Sequence, residues 1–330
     1  MSEAATTPSK TPIRPGRALL CNIGRIGDTL IRNTILDSVR NTYGHVDYIC
    51  GKPTASINET DDRIDRLCVF QNTLRGFAHL LKATLLQRHD CYLDLKDHDS
   101  NTSLMIATIC RAKLKVGCNR KSYRPFHRDT SHAHGTRKKK IEVMRDIASV
   151  AGLNPGDFPL QLGCSDESRA WLKTNYPQLG RFFFVNVSAT AASRIWPEQH
   201  WIEFLSTPMF ADSVLLVSGL PEHSGSVKNI VAGTPNSIAF RPRGLMDVIA
   251  AMERSLALFT VDTGVVQVAA ALHLPMVVLY ASKAQAHDFS PGGVGNIFLT
   301  PTVNQQIATL HPEQAIAALV GRNFAGLQQT

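Results

Sequence analysis

The fold is decided by residues 18–30, which read ALLCNIGRIGDTL. Residues 18–23 form an uncharged, mostly apolar run, which predicts a buried β-strand. Gly24 and Gly27 then bracket a turn, and from Asp28 onward the apolar residues follow helical spacing. The stretch therefore predicts a strand, a glycine turn and a helix in immediate succession.

Asp28 has two interpretations in this arrangement. A helix N-terminus at the carboxyl end of a central strand is where open α/β sheets bind ligands. Taken alone, the local sequence favours a helix cap, because Asp is among the preferred N-cap residues. A dinucleotide site is disfavoured for two reasons. Its glycine motif needs Gly where the chain has Asn22, and the site also needs an acid after the second strand, where the chain has Cys50 and Gly51.

Length and composition predict an ordinary soluble protein of two domains. A chain of 330 residues exceeds one typical core, so two units of roughly 150 residues are expected. Its apolar runs are too short for a membrane-spanning helix. Residues 1–16 are polar and lack an apolar core, so we expect a disordered tail rather than a signal peptide, and a cytoplasmic protein.

Cysteine and histidine spacing argues against disulfides and metal sites. The seven cysteines are scattered and form no CxxC pair, and the twelve histidines show no HExxH spacing. We therefore expect free thiols and no structural metal.

The positive charge is concentrated in one segment. Residues 111–140 contain eleven Lys or Arg and a single acid, Asp129, against a net charge of +8 for the whole chain. The segment is therefore one basic surface or loop, either simply solvated or a docking site for an anionic acceptor or membrane surface. Nucleic acid is not expected as a partner, because no stacking aromatics or zinc-finger spacing accompany the charge.

Apolar runs and helical periods alternate along both halves of the chain. Predicted strands at 46–50, 67–70, 91–95 and 114–117 are separated by helices, including one at 73–88, which indicates a largely parallel sheet. The alternation restarts after the proline- and glycine-containing residues 153–165, with strands that begin near residues 182, 214, 237, 256 and 276. The predicted divisions are a tail (1–16), an N-terminal Rossmann-like domain (17–155), a linker (156–175), a C-terminal Rossmann-like domain (176–311), and a terminal helix and tail (312–330).

A small-residue loop follows the first strand of the second half. Residues 182–197 read FFFVNVSATAASRIWP, a buried strand that opens into the loop and ends before a helix. Small residues let the backbone approach a ligand, hydroxyls can donate to phosphate oxygens, and Arg194 can bind an anion through two hydrogen bonds. The alternative is a plain surface loop in which Trp196 is a packing anchor.

A second strand-to-helix turn lies at Asp262-Thr263-Gly264. The first amides of the helix that follows can bind an anion without a metal ion. Glu222, just after another strand, can accept hydrogen bonds from ribose hydroxyls, although a lone surface Glu would be unremarkable.

In combination, these motifs resemble glycosyltransferase family nine, which includes the ADP-heptose lipopolysaccharide heptosyltransferases, over residues 18–300. The resemblance is carried by GRIGD at 24–28, by SATAASRIWP at 188–197, and by DTG at 262–264 with AAAL at 269–272. The sequence departs from the family pattern at Arg194, where Lys is usual, at Gln267, where His is usual, and at 281–283, where ASK replaces Gly-Pro-Thr. The departures bear on the sugar donor more than on the fold.

The resemblance implies an α/β protein with the GT-B fold, in which two Rossmann-like, doubly wound domains face a cleft. It implies inverting, metal-independent transfer of a sugar, with ADP-heptose as the first choice, to a hydroxyl of an anionic lipopolysaccharide-core-type acceptor. No cofactor is expected. Peripheral contact with the cytoplasmic face of the inner membrane is expected. Asp28 is the implied general base. The implied donor or phosphate contacts are Ser188, Ala189, Thr190, Arg194, Glu222, Asp262, Thr263, Gly264 and Gln267. The acceptor-side candidates are Gly24, Arg25, Gly27, Asp97, Asp99, Arg120, Arg124, Arg137 and Lys138.

Several alternatives stay open. Asp97-His98-Asp99 has the form of a metal-binding DxD, but its place in the first domain favours an acceptor-facing or capping role. A protein hydroxyl, instead of a glycolipid, is the alternative acceptor. A nucleotide-sugar epimerase on the same fold, and a non-catalytic basic adaptor that binds membrane or nucleic acid, are the remaining rivals.

Overall fold

The computed structural model of the protein describes residues 16–96, 100–118, 125–135, 138–153, 157–291, 296–301 and 306–321. Two six-stranded sheets, each flanked by helices, follow one another along these residues.

The first sheet is built from parallel strands in the order β3-β2-β1-β4-β5-β6. Its strands are β1 (Gly16–Asn22), β2 (Gly44–Gly51), β3 (Arg66–Phe70), β4 (His89–Asp94), β5 (Ala112–Gly117) and β6 (Arg128–Asp129). Leu20 lies between Tyr48 on β2 and Leu93 on β4. Because β1 is central and covered on both faces, its middle residues, 18–21, are apolar and fully buried, as the sequence predicts.

Seven helices cover this sheet. They are α1 (Ile26–Asn33), α2 (Leu36–Tyr43), α3 (Ala55–Glu59), α4 (Leu74–Leu81), α5 (Asn101–Ile109), α6 (Ser131–Gly135) and α7 (Lys140–Ala151). Apolar side chains of α1, α2 and α7 form one core layer, and those of α4 and α5 form the layer on the opposite face. The carboxyl edge of the sheet is thus left for the loops and helix N-termini.

The second sheet is also parallel, in the order β12-β11-β10-β7-β8-β9. Its strands are β7 (Phe182–Asn186), β8 (Val214–Ser218), β9 (Ser237–Ala239), β10 (Leu258–Val261), β11 (Met276–Leu279) and β12 (Ile297–Leu299). Its helices are α8 (Asp166–Asn175), α9 (Glu198–Leu205), α10 (Ser224–Gly233), α11 (Leu245–Arg254), α12 (Val265–Ala271), α13 (Lys283–Phe289) and α14 (Pro312–Gly321). Helix α8, inside the predicted linker, packs on α11, and α14 packs on α9, so both helices cover the second sheet.

The structure departs from the predicted elements in three ways. The first helix begins at Ile26 and breaks after Asn33, where the Thr34 hydroxyl donates to the Ile31 carbonyl oxygen at 2.6 Å. The predicted helix at 73–88 changes from α4 into a π-helical turn at Lys82–Leu86. Strands β6 and β12 and helices α3, α6 and α13 were not predicted, because elements of two to seven residues carry too little periodicity to detect.

The two halves touch through helix N-termini. Helix α1 follows the central strand β1, α12 follows β10, and the two helices pack against each other. A Cβ atom placed on Gly27 would lie 3.3 Å from the Cα atom of Gly264, and one placed on Gly264 would lie 3.2 Å from the Gly27 nitrogen. The two glycines therefore permit a backbone-to-backbone contact between the domains.

Candidate active site

Asp28 lies in the first turn of α1 and is not its cap. The N-cap residue is Arg25, whose side chain makes no capping hydrogen bond, so the capping interpretation of Asp28 is wrong. The partly buried Asp28 side chain lines a small cavity with Arg32 and Lys140. The carboxylate thus lies at the interdomain edge, which is the carboxyl edge of the first sheet where it meets the second domain. Arg32 and Lys140 lie around the same cavity.

A buried hydrogen-bond network lies behind Asp28. The Arg32 guanidinium donates to Asn22 Oδ1 at 2.8 Å, and Asn22 Nδ2 donates to Thr29 Oγ1 and to the Tyr48 hydroxyl, both at 3.1 Å. The Tyr48 hydroxyl in turn donates to Asn33 Oδ1 at 2.6 Å. All five side chains are buried. The network fixes α1 on Asn22 at the end of β1 and on Tyr48 of β2, and it explains why Asn stands where a dinucleotide site has Gly.

The glycines of the first motif have distinct structural reasons. A Cβ atom on Gly24 would lie 2.8 Å from Arg32 Nη1 and 3.0 Å from Asn22 Oδ1, so Gly24 leaves room for the guanidinium. Gly27 provides the contact with the second domain. Arg25 is exposed at the start of α1. Of these three acceptor-side candidates, Arg25 is the one whose side chain is available to a ligand.

The loop after β7 is held by its own side chains. The buried Ser188 hydroxyl accepts a hydrogen bond from the Leu220 amide at 2.8 Å. Asn186 Nδ2 donates to the Ser188 carbonyl oxygen and to Thr260 Oγ1, both at 3.0 Å. The structure thus uses Ser188 to tie together the loops after β7 and β8. Ala189 is buried beside it, and Thr190 is exposed.

Arg194 and Asp262 bring the second and third motifs together. Arg194 Nη1 lies 3.4 Å from Asp262 Oδ2, at the carboxyl end of β10. Burial raises the pKa of the Asp262 carboxyl, and the Arg194 charge acts in the opposite direction. Thr263 and Gly264 follow directly, with Gly264 as the N-cap of α12. A cation and the start of a helix are therefore adjacent at the interdomain edge.

Trp196 and Gln267 have internal partners. Trp196 is buried and its indole nitrogen donates to the Leu310 carbonyl oxygen at 2.7 Å, as expected of a packing anchor. Gln267 Nε2 donates to the Phe289 carbonyl oxygen at 2.7 Å and its side chain lies beside Gly27. The departure from the family's His at this position thus coincides with a contact that joins α12 to α13.

Sequence analysis missed a cavity of about 390 Å³ at the carboxyl ends of β8 and β9. Its volume suits a small ligand. Glu222 is exposed within the short 3₁₀ turn Pro221–His223 beside it. The only sequence signal was the end of two predicted strands. The lining residues are Gly219, Leu220, Pro221, Ser224, Val227, Lys228, Ala239, Phe240, Arg241 and Pro242.

In the described residues, the basic segment is divided between the amino edge and the carboxyl edge of the first sheet. Lys113, near the amino end of β5, pairs with Asp90 at 2.7 Å. Lys138 pairs with Asp146 at 2.7 Å, just before α7. For the described residues, the prediction of a single basic surface is therefore wrong. The candidates Asp97, Asp99, Arg120, Arg124 and Arg137 lie outside the described residues.

A third cavity, of about 460 Å³, lies between the domains. It is lined by Lys139, Lys140 and Arg145 from the first domain and by Gln267 and Phe289 from the second, among others. The Lys140 amino group lies 5.7 Å from the centre of the Phe289 ring. Because Lys140 also borders the Asp28 cavity, the two spaces adjoin.

Two further expectations concern cysteines and metals. The seven cysteines all lie in the described part of the chain, and no two of them are joined in a disulfide there. In the part of the chain that the structure describes, no three His, Cys, Asp or Glu side chains are grouped to hold a metal ion. None of the helices described there is long and apolar enough to cross a bilayer.

Solved structures with a similar fold include two heptosyltransferases and a glycosyl transferase family 9 protein. A glycosyl transferase family 9 protein from Veillonella parvula has 17% identity and a TM-score of 0.79, with 98% of this chain and 100% of that chain covered. The E. coli heptosyltransferase WaaC with ADP has 17% identity and a TM-score of 0.73, covering 93% and 99%. E. coli ADP-heptose lps heptosyltransferase II has 15% identity and a TM-score of 0.74, covering 95% and 99%. These likenesses confirm the expected GT-B fold.

The family follows from a separate comparison. Curated proteins gave no match. The model of glycosyltransferase family 9 (heptosyltransferase) matches residues 78–295, which is more than half of the chain. The match includes the motifs around Arg194 and Asp262, whereas Asp28 precedes it. The chain therefore belongs to glycosyltransferase family 9 and is a glycosyltransferase.

Proposed function

We propose that this chain transfers a sugar, with heptose from ADP-heptose as the first choice, to a hydroxyl of an anionic lipopolysaccharide-core-type glycolipid, with inversion and without a metal ion. The observation that carries the proposal is the meeting of two helix N-termini at Gly27 and Gly264. Asp28 directly follows Gly27, and Asp262, which pairs with Arg194, lies two residues before Gly264, so the contact brings the two motifs to the same interdomain edge. Catalyst and donor site are thereby on opposite sides of one interdomain edge.

The donor would lie along the carboxyl edge of the second sheet. Its base fits the cavity at the ends of β8 and β9, and Glu222 can accept from the ribose hydroxyls. The diphosphate then reaches Arg194 and the amides of Thr263 and Gly264, which favour negative charge. The solved E. coli WaaC structure contains ADP, which supports an ADP-linked donor here. Ser188 would act by holding the loop in shape, through its bond with Leu220.

Asp28 would act as the general base. The acceptor oxygen attacks the anomeric carbon as the bond from that carbon to the diphosphate oxygen breaks, and the acceptor proton passes to Asp28. Negative charge that develops on the leaving diphosphate is stabilised by Arg194 and the α12 amides. One displacement of this kind inverts the anomeric configuration. Arg194 and the α12 amides would thus stabilise the leaving diphosphate without a metal ion.

The acceptor would approach through the interdomain cavity. Lys139, Lys140 and Arg145 supply positive charge there, next to the apolar surface of Phe289. Such a lining suits an anionic sugar attached to a lipid. Because Lys140 also borders the Asp28 cavity, an acceptor bound here leads to the proposed base. We place the enzyme in the cytoplasm, at the inner-membrane face where a glycolipid acceptor is available.

The proposal is tested by incubating the protein with ADP-, GDP- and UDP-linked sugars, with and without a lipopolysaccharide-core acceptor. We expect thermal stabilisation by an ADP-sugar, and release of ADP only when acceptor is present and undiminished by EDTA. Release with a protein acceptor alone would favour protein glycosylation. Conversion of the donor to an epimer without acceptor would indicate an epimerase. Salt-sensitive binding to polyanions with no response to any nucleotide would indicate an adaptor.

A further inference from the structure

Exposed apolar side chains are concentrated on one part of the first domain. Six large apolar side chains are exposed in the described residues, and five of them are Leu74, Leu81, Leu85, Leu86 and Met105. The sixth, Val320, is in α14. Leu74 is 92% exposed and Leu86 is 74% exposed. Surface leucines scattered singly need no explanation, but a group on one element indicates a partner.

The leucines follow helical spacing on α4 and the π-helical turn that continues it. Leu74, Ala78, Leu81 and Leu85 are all exposed and are separated by four, three and four residues, so they form a leucine stripe along one face. The opposite face is already packed. Leu80 is buried, and the Phe77 ring contacts the Phe70 ring at 5.4 Å, edge to face. The leucine stripe is therefore an additional apolar face that the domain core does not need.

A basic stripe runs beside the leucine stripe. Arg75, His79 and Lys82 each lie one position beyond a leucine-stripe residue, which is about 100° around the helix. With Arg66 of the edge strand β3, they line a cavity of about 530 Å³. Residues 66–89 contain four Lys or Arg and no Asp or Glu. The cavity therefore suits an anionic group, bound next to an apolar surface.

The helix is held firmly at its N-terminus. The Thr73 hydroxyl accepts from the Gly76 amide at 3.1 Å and caps α4. A Cβ atom on Gly76 would lie 2.0 Å from the Gln71 carbonyl oxygen, so only glycine allows this tight entry. Because α4 follows the carboxyl end of β3, Leu74 lies at the same edge of the sheet as Asp28. The leucine stripe is thus a fixed surface that starts at the edge that carries the active site.

We propose that α4 and its π-helical turn form a docking surface for a bilayer that contains anionic phospholipid. An apolar stripe beside a basic stripe is the pattern of helices that lie in the membrane interface, with leucines among the upper acyl chains and cations on the phosphates. The cavity lined by Arg66, Arg75 and Lys82 receives a phosphate-bearing headgroup. A protein partner is less well matched, because the surface offers cations but no acid to form mixed ion pairs.

This docking surface deepens the membrane setting of the proposed function, yet its test requires no turnover. The protein is floated with phosphatidylcholine vesicles that contain or lack phosphatidylglycerol. We expect binding to the anionic vesicles only. Replacing the three most exposed leucines, as Leu74→Ser/Leu81→Ser/Leu86→Ser, should weaken binding more than about tenfold. The matched control Val320→Ser changes an exposed apolar residue elsewhere and should bind like the wild type.

The basic stripe is tested in the same assay. Arg75→Gln/Lys82→Gln should weaken vesicle binding by about fivefold for each charge removed. Added salt should also weaken the binding of the wild type. Lys173→Gln/Lys283→Gln removes two exposed lysines from the second domain and should have no such effect. The single variant Leu74→Ser serves as a second test if the triple variant does not fold.

Three results would overturn the docking surface. The first is equal binding to vesicles with and without phosphatidylglycerol. The second is unchanged binding by both the leucine and the basic variants. The third is absence of vesicle binding together with self-association that the leucine variant abolishes, which would make a second copy of the chain the occupant. Transfer to a water-soluble acceptor should be unaffected by these variants, so a failure of docking and a failure of the proposed function are distinguishable.

Discussion

The two domains contain the same strand–turn–helix unit, with the carboxylate in different places. In the first unit, Asp28 lies inside α1, and the strand ends in Asn22, which binds the Arg32 guanidinium. In the second, Asp262 directly follows β10 and pairs with Arg194 from a distant loop. Both units aim a helix N-terminus at the interdomain edge.

The difference teaches how one supersecondary unit serves two purposes. In the first domain, the cation is buried in an internal network and braces the helix, which leaves the carboxylate at the edge for chemistry. In the second domain, the carboxylate is buried and orients the cation, which leaves Arg194 for the leaving group. In the proposed function, proton transfer therefore belongs to the first unit and charge stabilisation to the second.

The contact between the units can be broken with Gly27→Val. The new side chain would meet the Gly264 backbone, push the domains apart and lower kcat, roughly a hundredfold for a displacement of about 1 Å. Donor affinity should fall less than kcat, because Arg194 and the cavity at the ends of β8 and β9 are unchanged. Gly180→Val is the control, since no atom lies within 4 Å of a Cβ placed there. Equal kcat for both variants would show that the contact is not needed.

The charge on the second unit is tested with Arg194→Ala. Removing one charge-assisted contact to the diphosphate should weaken donor binding by about ten- to a hundredfold, measured by calorimetry with ADP or ADP-sugar. Arg194→Lys should recover most of the affinity, because the charge returns even though the two-hydrogen-bond geometry does not. If Arg194→Ala binds donor normally, the assigned role of the second unit is wrong.

The network behind the first unit is tested with Tyr48→Phe. It removes the donor to the buried Asn33 Oδ1 and one of the two acceptors of Asn22 Nδ2, which keeps its bond to Thr29, and should lower the free energy of unfolding by about 1–3 kcal/mol. Tyr280→Phe is the matched control, because the buried Tyr280 hydroxyl has no hydrogen-bond partner in the described residues. Denaturant unfolding of both variants makes the comparison. A larger loss for Tyr280→Phe would contradict the network.

The smallest expected effect concerns the buried carboxylate. Burial raises the pKa of Asp262 despite Arg194, so the folded state disfavours the ionised form. Asp262→Asn should therefore be more stable than the wild type at pH 8. The difference should shrink as pH falls and the wild-type carboxyl becomes protonated. Urea unfolding of both proteins at pH 8 and below measures the difference in their free energies of unfolding. A wild type that is more stable than Asp262→Asn at pH 8 would contradict the prediction.

The sequence predicts the central elements well, for a physical reason. The uncharged run at residues 182–187 predicts a buried strand in a parallel sheet, and the observed strand β7, Phe182–Asn186, ends one residue earlier. Short edge elements such as β12 bury few residues and leave no comparable pattern. The break at Thr34 depends on one hydroxyl bonding to the preceding turn, which composition does not reveal.

The site is less predictable than the fold, because its side chains meet across long separations. Arg194 and Asp262 are brought together by neighbouring strands, and no local pattern predicts their contact. The partner of Ser188 is a backbone amide whose position depends on another loop. Gly24 was assigned to the acceptor side, whereas it makes room for Arg32. Spacing indicates which residues reach the edge but does not tell which are used internally.

The most direct test of the division of labour is Asp28→Asn, assayed for both transfer and donor binding. We expect the rate of transfer to fall by about 10²- to 10⁴-fold, the usual contribution of a positioned base, while the dissociation constant of the donor stays close to that of the wild type. Asp62→Asn, an exposed acid in the same domain, should match the wild type in both measurements. Near-normal transfer by Asp28→Asn would contradict the assignment of Asp28 as the base.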